Sequence, residues 1–151
     1  MAVGTIAPIM RSLTVERSPE DAFRIFTEQI AEWWPLHAYS VYLDAATGVV
    51  VEPGVGGRIV ERSKTGEEAV WGELLVWEPP HRIAYTWHPG YDPDRPGTEV
   101  EIRFTAVDGG TRVDVEHRGW EALAERAEEV RGGYAEGWPV VLGHYAAATT
   151  T

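Results

Sequence analysis

Residues 72–87 read Gly72-Glu73-Leu74-Leu75-Val76-Trp77-Glu78-Pro79-Pro80-His81-Arg82-Ile83-Ala84-Tyr85-Thr86-Trp87. Two apolar runs rich in aromatic and β-branched residues flank the Glu-Pro-Pro punctuation, and proline cannot donate to a sheet ladder. The stretch predicts strands over 69–77 and 82–87, joined by a turn too short for a crossover helix and so antiparallel. The same pattern extends both ways. Upstream, 49–52 ends at Pro53-Gly54-Val55-Gly56-Gly57 and 58–63 ends at Lys64-Thr65-Gly66. Downstream, a Pro- and Gly-rich stretch runs through Gly97, and 99–107 turns at Asp108-Gly109-Gly110 into 111–117. Short turns between successive strands make an antiparallel meander.

The flanks of this meander are mostly helical. First comes one more strand, over 9–16, with Ile9, Leu13 and Val15 on one parity and Arg11 as the exception. Ser18-Pro19-Glu20-Asp21 then offers a cap, a proline for the first helical position and acids for the positive helix end. Ala22, Phe23, Ile25, Phe26 and Ile30 recur at helical spacing up to Trp33-Trp34, where Pro35 stops the helix or breaks it into two. A loop over about 36–47 follows. Beyond the last strand, 120–130 is rich in Ala, Leu and Glu, and Gly132-Gly133 weakens the pattern. Tyr134, Trp138, Val141 and Tyr145 then recur at i, i+4, i+7 and i+11 with Leu142 beside them, an apolar stripe that must be buried. Pro139 is expected to kink this helix or to begin a separate one, and Ala146-Ala147-Ala148-Thr149-Thr150-Thr151 to fray. The order of elements is α+β, with helices on one face of a curved antiparallel sheet. A chain of 151 residues fits one domain spanning 1–151.

Composition narrows the function. A net charge of −11 repels the phosphates that supply most nucleic-acid affinity, and equally an anionic membrane surface. No segment approaches the ~20 apolar residues that span a bilayer, and residues 1–10 lack the form of a secretion signal, so a cytoplasmic protein is expected. The absence of cysteine excludes disulfides, thiolate zinc sites, iron–sulfur clusters and a cysteine nucleophile. His37, His81, His88, His117 and His144 form no H-x-x-x-H pair or H-E-x-x-H motif, so no metal site is expected. Gly54-Val55-Gly56-Gly57 leads into a strand without the Gly-Lys-Ser/Thr of a phosphate loop, no Gly-x-Ser-x-Gly elbow occurs, and no cofactor is expected. Seven tryptophans are the anomaly: each is a large apolar body with an N–H donor, suited to fill a core or line a pocket.

Four segments together resemble the START-like (SRPBCC) superfamily, and within it the homologues of the activator of heat-shock-protein-90 ATPase. They are Ser18-Pro19-Glu20-Asp21-Ala22-Phe23, Gly56-Gly57-Arg58, the 72–87 block and Gly133-Tyr134-Ala135-Glu136-Gly137-Trp138. The resemblance covers essentially the whole chain. It implies the helix-grip fold: about seven antiparallel strands gripping a long C-terminal helix, two short helices after the first strand, and a cavity between sheet and helix. It brings no catalytic motif, since the superfamily includes lipid carriers, hormone binders and polyketide cyclases. A chaperone is a candidate partner on the resemblance alone, and the chain is expected as a monomer or homodimer.

Strand parity nominates the cavity lining. Trp71, Glu73, Leu75 and Trp77 share one face of their strand, as do Ile83, Tyr85 and Trp87 on the next. Val100, Ile102, Phe104, Val113, Val115 and His117 point inward, because charged residues fill the alternate positions. The C-terminal helix, the lid in the resembled fold, contributes Trp138, Val141 and Leu142, and Trp120 lies just before it. Trp33, Trp34, His37 and Tyr39 mark a mouth. The lining thus holds one acid, Glu73, and one imidazole, His117. Glu73 is either poised in the cavity or at a sheet edge with a partner such as Arg58. His117 is either an acid/base group or a structural histidine. The leading expectation is a protein that binds a small apolar or aromatic ligand. The alternatives are a cyclase or lyase using Glu73 or His117, and a chaperone-interacting activator.

Overall fold

The computed structural model describes residues 6–88 and 97–150. The Pro- and Gly-rich connection expected before Gly97 therefore lies, over 89–96, outside the described residues. Seven strands, β1 (Ile9–Val15), β2 (Ala46–Val51), β3 (Arg58–Ser63), β4 (Glu68–Glu78), β5 (Arg82–Trp87), β6 (Thr98–Val107) and β7 (Gly110–Arg118), form one antiparallel sheet in the order β1-β7-β6-β5-β4-β3-β2. The meander from β2 to β7 follows from its short turns. β1 closes on β7, pairing Ile9 with His117 and Val15 with Thr111. β1 and β2 thus stand at opposite edges, and the chain crosses between them through α1 (Pro19–Thr27) and α2 (Ile30–Trp33). A long helix, α3 (Ala127–Ala148), lies in the curl of the sheet, giving the helix-grip α+β fold.

Ser18 caps α1, its hydroxyl accepting the Asp21 N–H at 3.2 Å, with Pro19 in the first turn. The break between α1 and α2 falls at residues 28–29, earlier than Pro35, which follows the already extended Trp34. One face of these helices, Phe23, Phe26 and Trp33, packs with Phe104 of β6 and Tyr145 of α3, whose hydroxyl donates to the Ala22 carbonyl at 2.8 Å.

Three expectations about the last third are corrected. Residues 120–126 form a 3₁₀ stretch, interrupted at Ala124 (φ 52°, ψ −120°) where the chain turns into α3. Pro139 does not start a new helix: it sits inside a continuous 22-residue element. A proline there leaves the carbonyl four residues earlier, that of Ala135, without its helical donor. The Arg11 guanidinium supplies one at 3.0 Å, which also explains the parity exception in β1. The tail does not fray before Thr150, because Thr149 is buried and its carbonyl accepts from Arg17 Nε at 2.8 Å.

β4 departs from simple alternation. Ile59 pairs with Gly72 but Val60 with Val70, and Leu74 pairs with Tyr85 but Val76 with Ala84, so Trp71 and Leu75 are each an extra residue. Each bulge reverses which face the following side chains occupy. Trp71 and Leu74 are buried, Trp77 returns inward against Phe23, and Glu73 and Leu75 are turned to solvent. Gly72 belongs to this distortion. A Cβ there would lie 1.7 Å from the Thr86 carbonyl oxygen.

Candidate functional site

Between α3, the sheet and the loop after α2 lies a cavity of about 310 Å³. Its walls are Trp34 after α2, Ala38, Tyr39 and Ser40 of the loop, Trp71 of β4, Trp87 of β5, and Val130, Gly133, Tyr134, Gly137, Trp138 and Val141 of α3. The α3 members recur every three or four residues, the spacing of one helix face. Two are glycines. A Cβ at Gly133 would meet nothing within 4 Å, whereas one at Gly137 would touch the Tyr39 ring at 3.4 Å. Trp34, Trp71 and Trp87 form a triangle with ring centroids 5.1, 5.5 and 5.8 Å apart.

The tryptophan N–H groups sort these rings. Trp33 donates to the Ile25 carbonyl, Trp34 to the Tyr39 carbonyl and Trp120 to the His117 carbonyl, at 2.7–2.9 Å. Trp71 donates to Glu61 and Trp138 to His117. The Trp87 Nε1–H is buried without a hydrogen-bond partner. Burial raises the neighbouring Tyr134 phenol above its ordinary value, with the Trp87 N–H pulling the other way, but the two complete no hydrogen bond. One ring of this apolar wall, Trp87, therefore carries an unpaired N–H that is buried beside the Tyr134 phenol.

His117 is fully buried and its two ring nitrogens are both engaged. An indole N–H can only donate, so the Trp138 Nε1 contact at 3.0 Å makes Nδ1 the acceptor and places the proton on Nε2. That proton goes to Thr98 Oγ1 at 2.7 Å, and the Thr98 hydroxyl passes on to the Trp87 carbonyl at 3.1 Å. Burial holds the imidazole down at about 3. With its lone pair occupied and its charged form disfavoured by burial, His117 is held as a neutral imidazole outside the cavity lining, in ring contact with Tyr134 and Trp138. Glu73 stands on the opposite face of the sheet.

Of the nominated residues, the structure brings Trp34, Tyr39, Trp71, Trp87, Trp138 and Val141 together around the cavity. It places Trp33, Tyr85, Ile102, Phe104, His117, Trp120 and Leu142 in the buried core without a share in the lining. His37 is exposed, its ring 3.9 Å from the Asp44 carboxylate. Sequence reasoning passed over Gly133, Gly137 and Tyr134 as lining, and over Glu61. The last is completely buried and accepts three N–H donors; its signal was parity with Ile59 and Ser63 on an inward face.

The curled sheet, the long helix and the cavity between them define a helix-grip domain. This chain belongs to the family described as Activator of Hsp90 ATPase homolog 1-like protein, whose model matches residues 16–148. No curated protein matches the sequence. Among solved structures, an anthrahydroquino-γ-pyrone synthase, Txn09, determined as a complex, is 35% identical, with 84% of this chain and 86% of that one covered and a TM-score of 0.60. The self-sacrificing resistance protein CalC from Micromonospora echinospora is 28% identical over 95% and 94%, TM-score 0.68. The Aha1 dimer from Colwellia psychrerythraea, at 17% identity over 95% and 96% and TM-score 0.68, shares the fold. The neighbours thus include a synthase and a resistance protein as well as an Aha1 protein that shares the fold. Among the described residues no helix is long and apolar enough to cross a membrane.

Proposed function

We propose that this protein binds a neutral, flat aromatic molecule bearing a carbonyl or quinone oxygen, stacked among Trp34, Trp71 and Trp87 with that oxygen accepting the Trp87 Nε1–H. The aromatic, uncharged lining carries the reading, and the unpaired N–H of one of its rings, Trp87, is the donor a ligand oxygen would reach on a small shift of its neighbours. A buried N–H without a partner costs about 1–3 kcal/mol, which an acceptor on the ligand would recover. Among the described residues no cationic side chain lines the cavity, and the chain's net charge of −11 disfavours an anion. The name of the 35%-identical synthase, which refers to a fused aromatic pyrone, supports the same ligand class.

That relative also favours a second reading on the same cavity, a cyclase-like enzyme. Among the described residues no carboxylate, imidazole or amine lines the cavity. Such chemistry would rest on folding a polyketide-like chain and polarising its carbonyl with the Trp87 N–H and the Tyr134 hydroxyl, since Glu73 and His117 are not among the lining residues. The family name carries a chaperone-directed reading as well, for which the Aha1 likeness offers the fold alone.

Two probes test the binding reading: 1,8-dihydroxyanthraquinone, which has carbonyl acceptors, and N-phenyl-1-naphthylamine, which has none. Both should bind in fluorescence titrations. Trp87→Phe, which keeps an aromatic wall but removes the donor, should weaken the quinone ~5-fold and leave the amine nearly unchanged. Native mass spectrometry of freshly purified protein should find an aromatic adduct. A protein that binds neither probe and carries no adduct refutes the reading.

A further inference from the structure

Glu61 is a carboxylate in the middle of a core, and an apolar residue of its size would fill the same space without the desolvation penalty. No ion pair offsets that penalty among the described residues. Instead, Oε1 accepts the Trp71 indole N–H at 2.7 Å and the Val41 backbone N–H at 2.8 Å, and Oε2 accepts the Tyr42 backbone N–H at 2.9 Å. These donors come from two different walls of the cavity. Trp71 is a wall on β4, and Val41 and Tyr42 continue directly from Ala38, Tyr39 and Ser40, which form the loop wall. That loop is otherwise held largely by its own bonds, such as the Ser40 hydroxyl to the Leu36 carbonyl and the Leu43 N–H to Ser40 Oγ. His37 and Val41 are exposed, and Ala38 and Tyr39 face the cavity while remaining largely exposed, so Tyr42 is the main apolar side chain of 37–42 that packs on the core.

We infer that Glu61 is the positioning residue of the cavity: one side chain fixes the Trp71 ring and the 38–42 loop at the separation that leaves the binding space between them. A carboxylate suits the task because it only accepts, and its two oxygens can serve three donors. Glutamine cannot replace it, since its NH₂ group must face at least one of the three N–H groups. The inference rests on the cavity being a ligand site for its binding readout; amide exchange of the loop tests it independently.

The test compares the wild type with Glu61→Gln and with Val113→Ala, a truncation in the buried face of β7 away from the cavity. Each protein is confirmed folded by circular dichroism and titrated with N-phenyl-1-naphthylamine. Glu61→Gln should weaken the probe about 10-fold or more, the loss expected of hydrogen bonds to a charged group, while Val113→Ala changes it less than about 2-fold. Glu61→Gln binding within about 2-fold of wild type, or equal weakening in both variants, overturns the inference. Hydrogen exchange in the wild type covers the case in which Glu61→Gln does not fold. The Val41 and Tyr42 amides should exchange at least ~10-fold more slowly than those of Ser40 and Asp44 in the same loop, and equal rates overturn the inference. If the wild type binds no probe, the ligand reading fails and the positioning role stands or falls on the exchange rates.

Discussion

The environment of His117 predicts how stability should depend on pH. A base whose folded-state pKa lies below its unfolded value is protonated more readily when unfolded, so the folded state loses ground as pH falls. The window opens near the ordinary value of 6.5 and closes near the folded value of about 3. At pH 5 the unfolded imidazole is almost wholly charged and the folded one is not, which costs about 2 kcal/mol relative to pH 7. For a chain of this length that corresponds to a fall in Tm of roughly 4–8 °C. Burial lowers His88 as well, with the same sign, so the wild-type profile alone does not isolate His117. The decisive comparison is with His117→Gln, whose amide can still accept from Trp138 or donate to Thr98 but does not titrate. Its Tm at pH 7 should drop, since imperfect replacement of buried bonds costs about 1–3 kcal/mol. Its further loss between pH 7 and pH 5 should be smaller than that of the wild type by about 2 kcal/mol. Thermal denaturation followed by circular dichroism at the two pH values measures both. Parallel pH profiles in the two proteins would refute the assignment of His117 as a buried neutral Nε2–H tautomer.

Three further expectations follow from particular contacts. Gly133→Ala places a methyl group in open space at a helix position and should raise stability by about 1 kcal/mol, whereas Gly133→Phe should reduce N-phenyl-1-naphthylamine binding by obstructing the cavity; thermal melts and titrations report the two effects. Arg11→Ala leaves the Ala135 carbonyl without a donor and should cost about 1 kcal/mol, a cost that shrinks in a Pro139→Ala background where the helical N–H returns, as a double-mutant cycle by chemical denaturation would show. Burial alone would raise the Glu101 carboxyl, but hydrogen bonds from Arg118, Arg103 and Arg82 overcome it and hold the group down at about 2. Its contribution is therefore complete above about pH 4.5 and lost as pH falls towards 2. Glu101→Gln should cost about 1–3 kcal/mol at pH 7 and show a shallower acid transition in that window.

The sheet was legible because its information is local. Turn residues such as Asp108-Gly109 and Pro79-Pro80 bound each strand, and β6 and β7 alternate cleanly between apolar and charged positions. The Ser18-Pro19 cap was legible for the same reason. What escaped was everything that depended on a count going out of step. Two bulges in β4 took Glu73 and Leu75 out of the cavity, and only Gly72, a glycine within a strand, hinted that the ladder was distorted there. Trp33 and Trp34 are adjacent and chemically identical, yet one packs with Phe26 and Tyr145 in the core and the other with Trp71 and Trp87 at the cavity. No pattern within the helix separates them, because the choice is made where α2 ends.

The glycines of α3 show most clearly why a cavity is harder to read than a core. A core is written in the residues that fill it, so the stripe through Trp138, Val141 and Tyr145 declares itself by hydrophobicity. An empty volume is written in what is missing from such a stripe. Gly133 and Gly137 occupy the same helix face, four residues apart, and read as weaknesses in a helix when judged by propensity alone. In the structure they are where the helix withholds side chains, Gly133 leaving open space and Gly137 seating the Tyr39 ring. A helix that accepts roughly 1 kcal/mol of destabilisation at each of two positions on its inward face, and a sheet that buries the carboxylate of Glu61 against Trp71 and the 41–42 backbone, both give up stability where the cavity gains shape. Costs falling together on one site, and not scattered over the fold, are the physical ground for treating this cavity as the functional part of the molecule.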